Sequence, residues 1–387
     1  MRLPRYSALT AATSALISTG RLPSARSAVA PFSALSATLP SPVHRSAPLG
    51  AGTVAPASPF VASFRRGVPG SRNQDHLPTR TRQLRMASTD AAAASSSGET
   101  GQVRTIESDG GEVQMTVHHL PSVGSTQDEA RRILGDISNS SSNTEQDASK
   151  RHACLATSAS EQTKGRGTSG RDWIGKGGNT FVTVCVPSDC IVNIPVTLLP
   201  LKVGSIVAKL VHDRLRSQKA WARVAVKWPN DVLVDDKKIA GILIESHYDE
   251  TTRKSWYLIG VGVNVAHAPT IDLVGPQRGR MSTCLASHCD IDGDGVENAR
   301  EVAFDIAKGI HEWIAAAVSG GELVDKSIAS DAIIREWSDW AEFGKEQVLR
   351  DKPGNEIVTP LGIEADGRLR VRGRNGREML LAADYLL

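Results

Sequence analysis

The first 74 residues contain no aspartate, no glutamate and no lysine, yet arginine stands at positions 2, 5, 21, 26, 45, 65, 66 and 72. The rest of that stretch is mostly alanine, serine, proline and valine. An acid-free, arginine-bearing opening of this kind has the composition of an organelle transit peptide. A polar leader with no targeting role is the other reading. Length and the many serines and prolines put a plastid slightly ahead of a mitochondrion as the destination, with the cytosol expected if the leader is idle. The formal net charge of the chain is +3, and setting aside the eight leader arginines leaves 37 basic against 42 acidic residues. The remainder is acidic on balance, so charge gives no argument for a nucleic-acid partner.

Other absences narrow the chemistry. No apolar run approaches the length of about 18 residues that a membrane span needs, so no membrane partner is expected. The five cysteines (Cys154, Cys185, Cys190, Cys284 and Cys289) contain no C-x-x-C pair, and no histidine cluster accompanies them at zinc-site spacing. They read as ordinary thiols of a reducing compartment. There is no G-x-x-x-x-G-K-[ST] loop and no G-x-G-x-x-G at a strand-to-helix turn, which excludes the two standard nucleotide loops. No G-x-S-x-G elbow is present, and His118, His119, His247, His267 and His288 are scattered without triad spacing.

At 387 residues the chain has room for one to three domains. We read residues 1–74 as the leader and 75–112, with its Ala91–Ser97 tract, as a low-complexity linker. A catalytic-sized domain over 113–342 follows, and then a small β domain over 343–387. Thr126 is placed to cap a short helix, with Glu129 as its reciprocal partner. Gly135–Lys150 reads as a polar surface insertion. Strands are expected over Cys154–Ala159, Asn179–Val186, Val224–Lys227, Val232–Val234, Ile239–Glu245 and Trp256–Val265, with Asp235-Asp236 as a hairpin turn. Helices are expected over Leu198–Leu215, Val302–Ala317 and Ile328–Trp340. The class is α+β, a mostly β central sheet with helices on one side. The tail, Gln347–Leu386, alternates short β runs with Asp366-Gly367 and Asn375-Gly376 turns.

Two segments stand out. In Gly165-Arg166-Gly167-Thr168-Ser169-Gly170-Arg171, glycines let backbone amides approach an anion while two arginines offer forked donors; a mobile loop with solvated arginines has the same residues. Lys227-Trp228-Pro229-Asn230-Asp231 links two apolar strands, and Asp231 could hold Mg²⁺ on a nucleotide or, with Asn230, simply stabilise a turn. Lys238 lies at the lip of the Ile239–Glu245 strand, where it either points at the site or snorkels to water. Gly262 and Asn264 end another strand, in a weak G-x-G-x-N pattern.

Together these segments resemble the biotin–protein ligase family (biotin–acetyl-CoA-carboxylase ligase, or holocarboxylase synthetase). Four stretches carry the resemblance, in the family's order. They are Ser125–Ala130; Gln162–Gly167 continuing to Gly170–Trp173; Lys227–Asp231 continuing to Lys238–Leu243; and Gly260–Asn264. The resemblance implies a class II synthetase-like catalytic domain, with a central mixed β-sheet flanked by helices, followed by a small SH3-like β domain. It implies that Ser125, Thr126, Gln127, Gln162, Gly165, Arg166, Gly167, Lys238 and Gly241 bind biotin. Arg171, Trp173, Lys227, Asn230 and Asn264 would serve the nucleotide and Asp231 its Mg²⁺. Lys238, Arg166 and Arg171 would be the catalytic cations. Gln127 stands where the family usually has Asn, and Thr168-Ser169 where bacterial members often have Arg-Arg.

The reaction so implied uses MgATP and biotin as substrates, with no bound prosthetic group. Biotin is activated as biotinyl-5′-AMP and transferred to a lysine of a biotin carboxyl-carrier domain, by a monomer or a homodimer. A lipoate–protein ligase and a non-catalytic biotinyl-AMP-binding regulator are the alternatives. The leader region shows no periodic pattern for a helix-turn-helix.

Overall fold

Thr180–Pro187 is buried at every position, which requires cover on both faces and so places it in the middle of a sheet. The computed structural model describes residues 91–94, 100–108, 111–140, 152–271, 280–320, 325–349 and 356–383. The leader expected over 1–74, part of the linker and residues 141–150 of the expected insertion lie outside the described residues. In chain order the first strands are Ala91–Ala94 (β1), Thr100–Glu107 (β2), Val113–Val123 (β3) and His152–Gln162 (β4). A two-stranded ribbon follows, Gly165–Arg166 (β5) with Asp172–Trp173 (β6). Thr180–Pro187 (β7), Val224–Lys227 (β8), Asp231–Val234 (β9), Lys237–Asp249 (β10) and Lys254–Val263 (β11) complete the main elements.

Nine of these strands form one sheet in the order β1-β2-β3-β4-β7-β11-β10-β9-β8. Only β3 and β4 run parallel, and they are joined through the helix Thr126–Ser140 (α1). The expected linker gives way here. Thr100–Glu107 pairs antiparallel with β3, from Gln102 opposite His119 to Glu107 opposite Gln114, and buries Ile106 in the core. Its composition is low in apolar residues because only one face is covered.

Three further helices, Leu199–Ser217 (α2), Val296–Val318 (α3) and Lys326–Ser338 (α4), pack on one face over Val182, Val184, Val186, Ile242, Ile259 and Val261. The other face carries α1. Ala130, Ile133 and Leu134 meet Leu155, Cys185 and Leu258 there. Helices thus cover both faces rather than one, because period-two alternation along β7 and β11 presents apolar residues to each side. Helix α1 reaches Ser140, so the polar stretch from Gly135 begins as its last turns. Asp235 and Asp236 form the expected hairpin turn, both with positive φ (47° and 64°), the conformation a two-residue turn demands.

A second sheet, Gln347–Leu349 (β12), Glu356–Ile363 (β13), Leu369–Gly373 (β14) and Glu378–Leu381 (β15), is antiparallel throughout. Val358, Leu369, Val371 and Leu381 form its small core. Trp228 Nε1 donates to Gly367 O at 3.0 Å, tying this sheet to the β8–β9 connection.

His119 shows how the parallel pair is held. Its ring lies between Ser158 Oγ at 2.9 Å and Ser160 Oγ at 3.0 Å. Burial and then the nearby Arg300 lower its pKa to about 4. The folded value lies below the unfolded one, so the neutral ring stabilises the fold fully above about pH 6.5 and loses that effect as pH falls towards about 4. In thermal denaturation between about pH 7 and 5, Tm of the native chain should therefore drop more steeply than that of His119→Gln. Parallel slopes would show that the histidine is not the group responsible.

Candidate functional site

Gly241 of β10 and Gly262 of β11 are direct cross-strand partners, so the face of the sheet shared with α1 has a bare patch. The indole of Trp173 fills it. A Cβ on Gly262 would meet ring atoms at 2.5–2.7 Å, and one on Gly241 would meet the ring at 2.8 Å. Gly260, opposite Leu243, makes the same room for Gln127, whose Nε2 would lie 2.5 Å from a Cβ there. These glycines are required by close approach, not by backbone angle.

Lys238 reaches the same face by a register fault. Opposite β9, Lys238 pairs with Leu233 and Ala240 with Val232, which leaves Ile239 as an extra residue. Ile239 and Ala240 both enter the helix-covered core, whereas Lys238 Nζ sits 5.3 Å from the Trp173 ring centroid. Without the bulge, strict alternation would turn Lys238 to the side of Ala240 and Ile242. Its ammonium pairs with Asp231 Oδ1 at 2.6 Å. Burial pushes the Asp231 carboxyl up, but the charges of Lys238 and Lys227 outweigh that and hold it below the usual range.

The first turn of α1 closes one side. Ser125 O accepts from Glu129 N at 3.0 Å, but Thr126 does not cap the helix as its sequence pattern indicated. Gln162 Oε1 instead takes Thr126 N at 2.9 Å and Thr126 Oγ1 at 3.2 Å, and Thr183 Oγ1 donates to Thr126 Oγ1 at 2.9 Å. Gln127 Nε2 is fixed on Leu243 O at 3.0 Å. Gln162 thereby supplies from β4 what the helix lacks locally.

Arg166 differs most from expectation. Its guanidinium is not left for an anion. It forks onto Asp128 at 2.7 and 2.9 Å and reaches Glu245 at 3.3 and 3.4 Å. Arg131 bonds the same two carboxylates. The hydrogen bond from Arg166 holds the Asp128 carboxyl below its usual range, and Asp128 in turn raises the guanidinium. Arg166 thus fastens the glycine-bearing loop to α1 and β10. Asp128, Arg131 and Glu245 were not read as site residues. The available signal was that Glu245 follows Leu243 by two, so it shares the face of Gly241.

The loop itself is built by Ser169 (φ 58°) and Gly170 (φ 68°), with Gly167 N on Arg171 O at 2.7 Å. Gly165 is pressed against the Trp173 carbonyl and Gln162. Arg171 folds back on Thr168, donating to its carbonyl at 3.2 Å and its hydroxyl at 3.0 Å. Asn230 Nδ2 donates to Ile242 O at 2.8 Å, and Asn264 Nδ2 to Thr283 O at 3.0 Å. Both amides are thus partly committed to backbone carbonyls of neighbouring segments.

Every site residue expected from the sequence except Gly165 lines one cavity of about 430 Å³. Ser125, Thr126, Gln127, Gln162 and Gly241 lie towards its sheet floor. Gly167, Trp173, Lys227, Asn230, Asp231, Lys238 and Asn264 complete the expected set. Arg280, Ser282, Val348, Leu369 and Leu381 also contribute; no local pattern marks them, because their approach depends on the docking of the second sheet and a remote loop. Five basic side chains (Arg166, Arg171, Lys227, Lys238 and Arg280) face two carboxylates, Asp172 and Asp231. Among the described residues, Gln127 Oε1, Asn264 Oδ1 and Trp173 Nε1 are buried without a hydrogen-bond partner. Orphaned polar atoms on a cavity wall mark positions that a ligand satisfies.

Residues 136–264 match the biotin/lipoate A/B protein ligase family. The chain is 35% identical over 119 residues to a biotin–[acetyl-CoA-carboxylase] ligase of Paracoccus denitrificans, covering 30% of this chain and 47% of that protein. It is 35% identical over 142 residues to a biotin–[acetyl-CoA-carboxylase] ligase of Mycobacterium tuberculosis, covering 33% and 49%. The chain thus spans about half the length of these curated relatives. A solved biotin protein ligase of Leishmania major, in complex with biotinyl-5-AMP, is 26% identical with a TM-score of 0.43, covering 69% of this chain and 98% of that one. By these matches residues 136–264 resemble the wider biotin/lipoate ligase class, and the curated relatives they align with are biotin–protein ligases.

Removing the Arg166 tether should loosen the loop. Charge-assisted hydrogen bonds contribute about 1.5–3 kcal/mol each when buried, and discounting the exposed side of this cluster leaves about 1.4 kcal/mol, a factor of about ten in opening. Limited trypsinolysis of Arg166→Ala should cut after Arg171 about tenfold faster than in the parent, with Tm little changed. Equal cleavage rates would mean that the cluster does not restrain the loop.

Proposed function

We propose that this chain is an ATP-dependent ligase that activates biotin as biotinyl-5′-AMP and transfers it to a lysine of a biotin carboxyl-carrier domain. The observation that carries the proposal is the buried Gln127, anchored through Nε2 with Oε1 unpaired on the wall of the cavity. An amide oxygen so held is matched by a ureido N–H, and the apolar floor under Trp173 suits a fused ring. Lys238 and the other cations lie where a carboxylate and phosphates would follow. The relatives' names, as ligases acting on acetyl-CoA carboxylase, support an acceptor of that kind.

In the first step the biotin carboxylate oxygen attacks the α-phosphorus of MgATP, and pyrophosphate leaves. Lys238 is positioned to neutralise the reacting carboxylate and the charge gathering on the phosphate. Asp231 holds that ammonium in place through their ion pair at 2.6 Å. In the second step a carrier lysine amine attacks the acyl carbon, forming an amide, losing a proton and releasing AMP. The Gly165–Arg171 loop, tethered by Arg166, excludes water from the mixed anhydride meanwhile. Arg166 acts by positioning the loop, while Arg171, on the exposed side, is free to turn towards phosphate by giving up its bonds to Thr168.

For Mg²⁺, the cavity offers Asp231, already paired with Lys238, and the exposed Asp172. Two separate carboxylates do not form a dedicated cage, and the ion fits here as part of the MgATP substrate, held mainly by phosphates. An organelle destination, plastid or mitochondrion, stays part of the proposal on the composition of the leader.

Incubating the full chain with MgATP, a carboxyl-carrier domain and labelled biotin should label the carrier lysine. Label from lipoate alone would favour lipoyl transfer, and tight biotinyl-AMP binding without transfer would favour a regulator. Lys238→Ala should slow biotin-dependent pyrophosphate release by about 10²-fold or more, the scale of losing a preorganised transition-state donor. A rate within about threefold of the parent would remove Lys238 from the mechanism.

A further inference from the structure

His152 begins β4 and Gln162 ends it beside the cavity, so His152 lies some ~33 Å away along the strand. His152 and Cys154, two residues apart, share one face. Leu155 of β4 is opposite Cys185 of β7, and the two strands run antiparallel, so the start of β4 meets the end of β7. There the chain turns through a short 3₁₀ segment, Ser188–Ile191, which carries Asp189 and Cys190. The topology therefore brings an H-x-C pair and a D-C pair together from distant parts of the sequence.

The ligand-type atoms of His152, Asp189 and Cys190 all lie within 4.8 Å of one another. His152 Nδ1 is 4.0 Å and Cys190 Sγ 3.8 Å from Asp189 Oδ1. Bonds of about 2.0–2.3 Å to a tetrahedral zinc ion put neighbouring ligand atoms about 3.3–3.6 Å apart, so small side-chain rotations close the difference. The side chains of His152 and Asp189 are 37% and 68% exposed, which gives an ion a path in and leaves a position for water. The Cys190 residue is only 7% exposed. Behind it sits the buried Cys154, whose thiol is within hydrogen-bonding reach of Cys190. An isolated exposed His–Asp pair would be worth little by itself. The buried sulfur beside it changes the donor set to one of nitrogen, oxygen and sulfur.

We propose that His152, Asp189 and Cys190 form a divalent metal site of the zinc class, at the opposite end of the sheet from the cavity, with water completing the coordination. Binding releases the Cys190 thiol proton to solvent, and Cys154 donates a hydrogen bond to the resulting thiolate. The ion ties the start of β4 to the turn after β7, so its role is to hold the sheet rather than to take part in ligation.

The test uses the full chain, stripped with a chelator and titrated with Co²⁺ and then Zn²⁺. Co²⁺ should give a thiolate-to-cobalt charge-transfer band that saturates at one equivalent and is bleached by Zn²⁺, and Zn²⁺ should raise Tm. Cys190→Ser should abolish the band, while Cys289→Ser should leave the titration unchanged. Asp189→Asn and His152→Gln, both at exposed positions, should weaken cobalt binding by at least about tenfold. Absence of the band from the folded parent would overturn the proposal, as would its survival in Cys190→Ser. Should Cys190→Ser fail to fold, unchanged cobalt affinity in both exposed-site variants would overturn it equally.

Discussion

The contact between the Trp173 indole and the paired glycines Gly241 and Gly262 is the constraint on which the site depends. A sheet face normally presents side chains every second residue, and these fill the space above it. Here two adjacent strands omit them at the same level, and a side chain from a separate ribbon lies directly on the backbone. The indole then forms a wall, its face turned to the Lys238 ammonium. Any side chain at either glycine would lift the wall and move the lysine with it.

A second layer of order comes from charge. Glu245 is 7% exposed at its side chain and would be costly to bury alone. Two arginines, one from α1 and one from the loop, converge on it and on Asp128. Such a cluster contributes modestly to stability where water reaches it. Its value is geometric, because it allows one seating of loop, helix and sheet in place of many.

The sheet and its helices were legible in the sequence because period-two and helical patterns survive burial, and the polar part of the cavity because its residues sit in short motifs such as Lys227–Asp231. Val224–Lys227 appears as read, and β10, β11 and α2 differ from their expected bounds by a few residues at their ends. The strand Thr100–Glu107 was missed because a strand covered on one face only carries few apolar residues. The role of Arg166 was misread for a different reason. Its flanking glycines advertise an anion site, but its partners, Asp128 and Glu245, come from elements 38 and 79 residues away. The same blindness hid the grouping of His152 with Asp189 and Cys190, since spacing rules see only neighbours in sequence. Contacts made by tertiary pairing leave no local pattern.

The extra residue at Ile239 has a consequence for how this chain can change over time. Substitutions along Lys237–Gly241 alter one side chain each, but straightening the strand at unchanged length would restore simple alternation. Lys238 would then share the side of Ala240 and Ile242, and Ile239 would take its place beside the indole. Strand pairing could survive such a straightening while the chemistry could not. The bulge, more than residue identity, is therefore what lineages carrying this site must preserve between the turn at Asp236 and the glycine at 241.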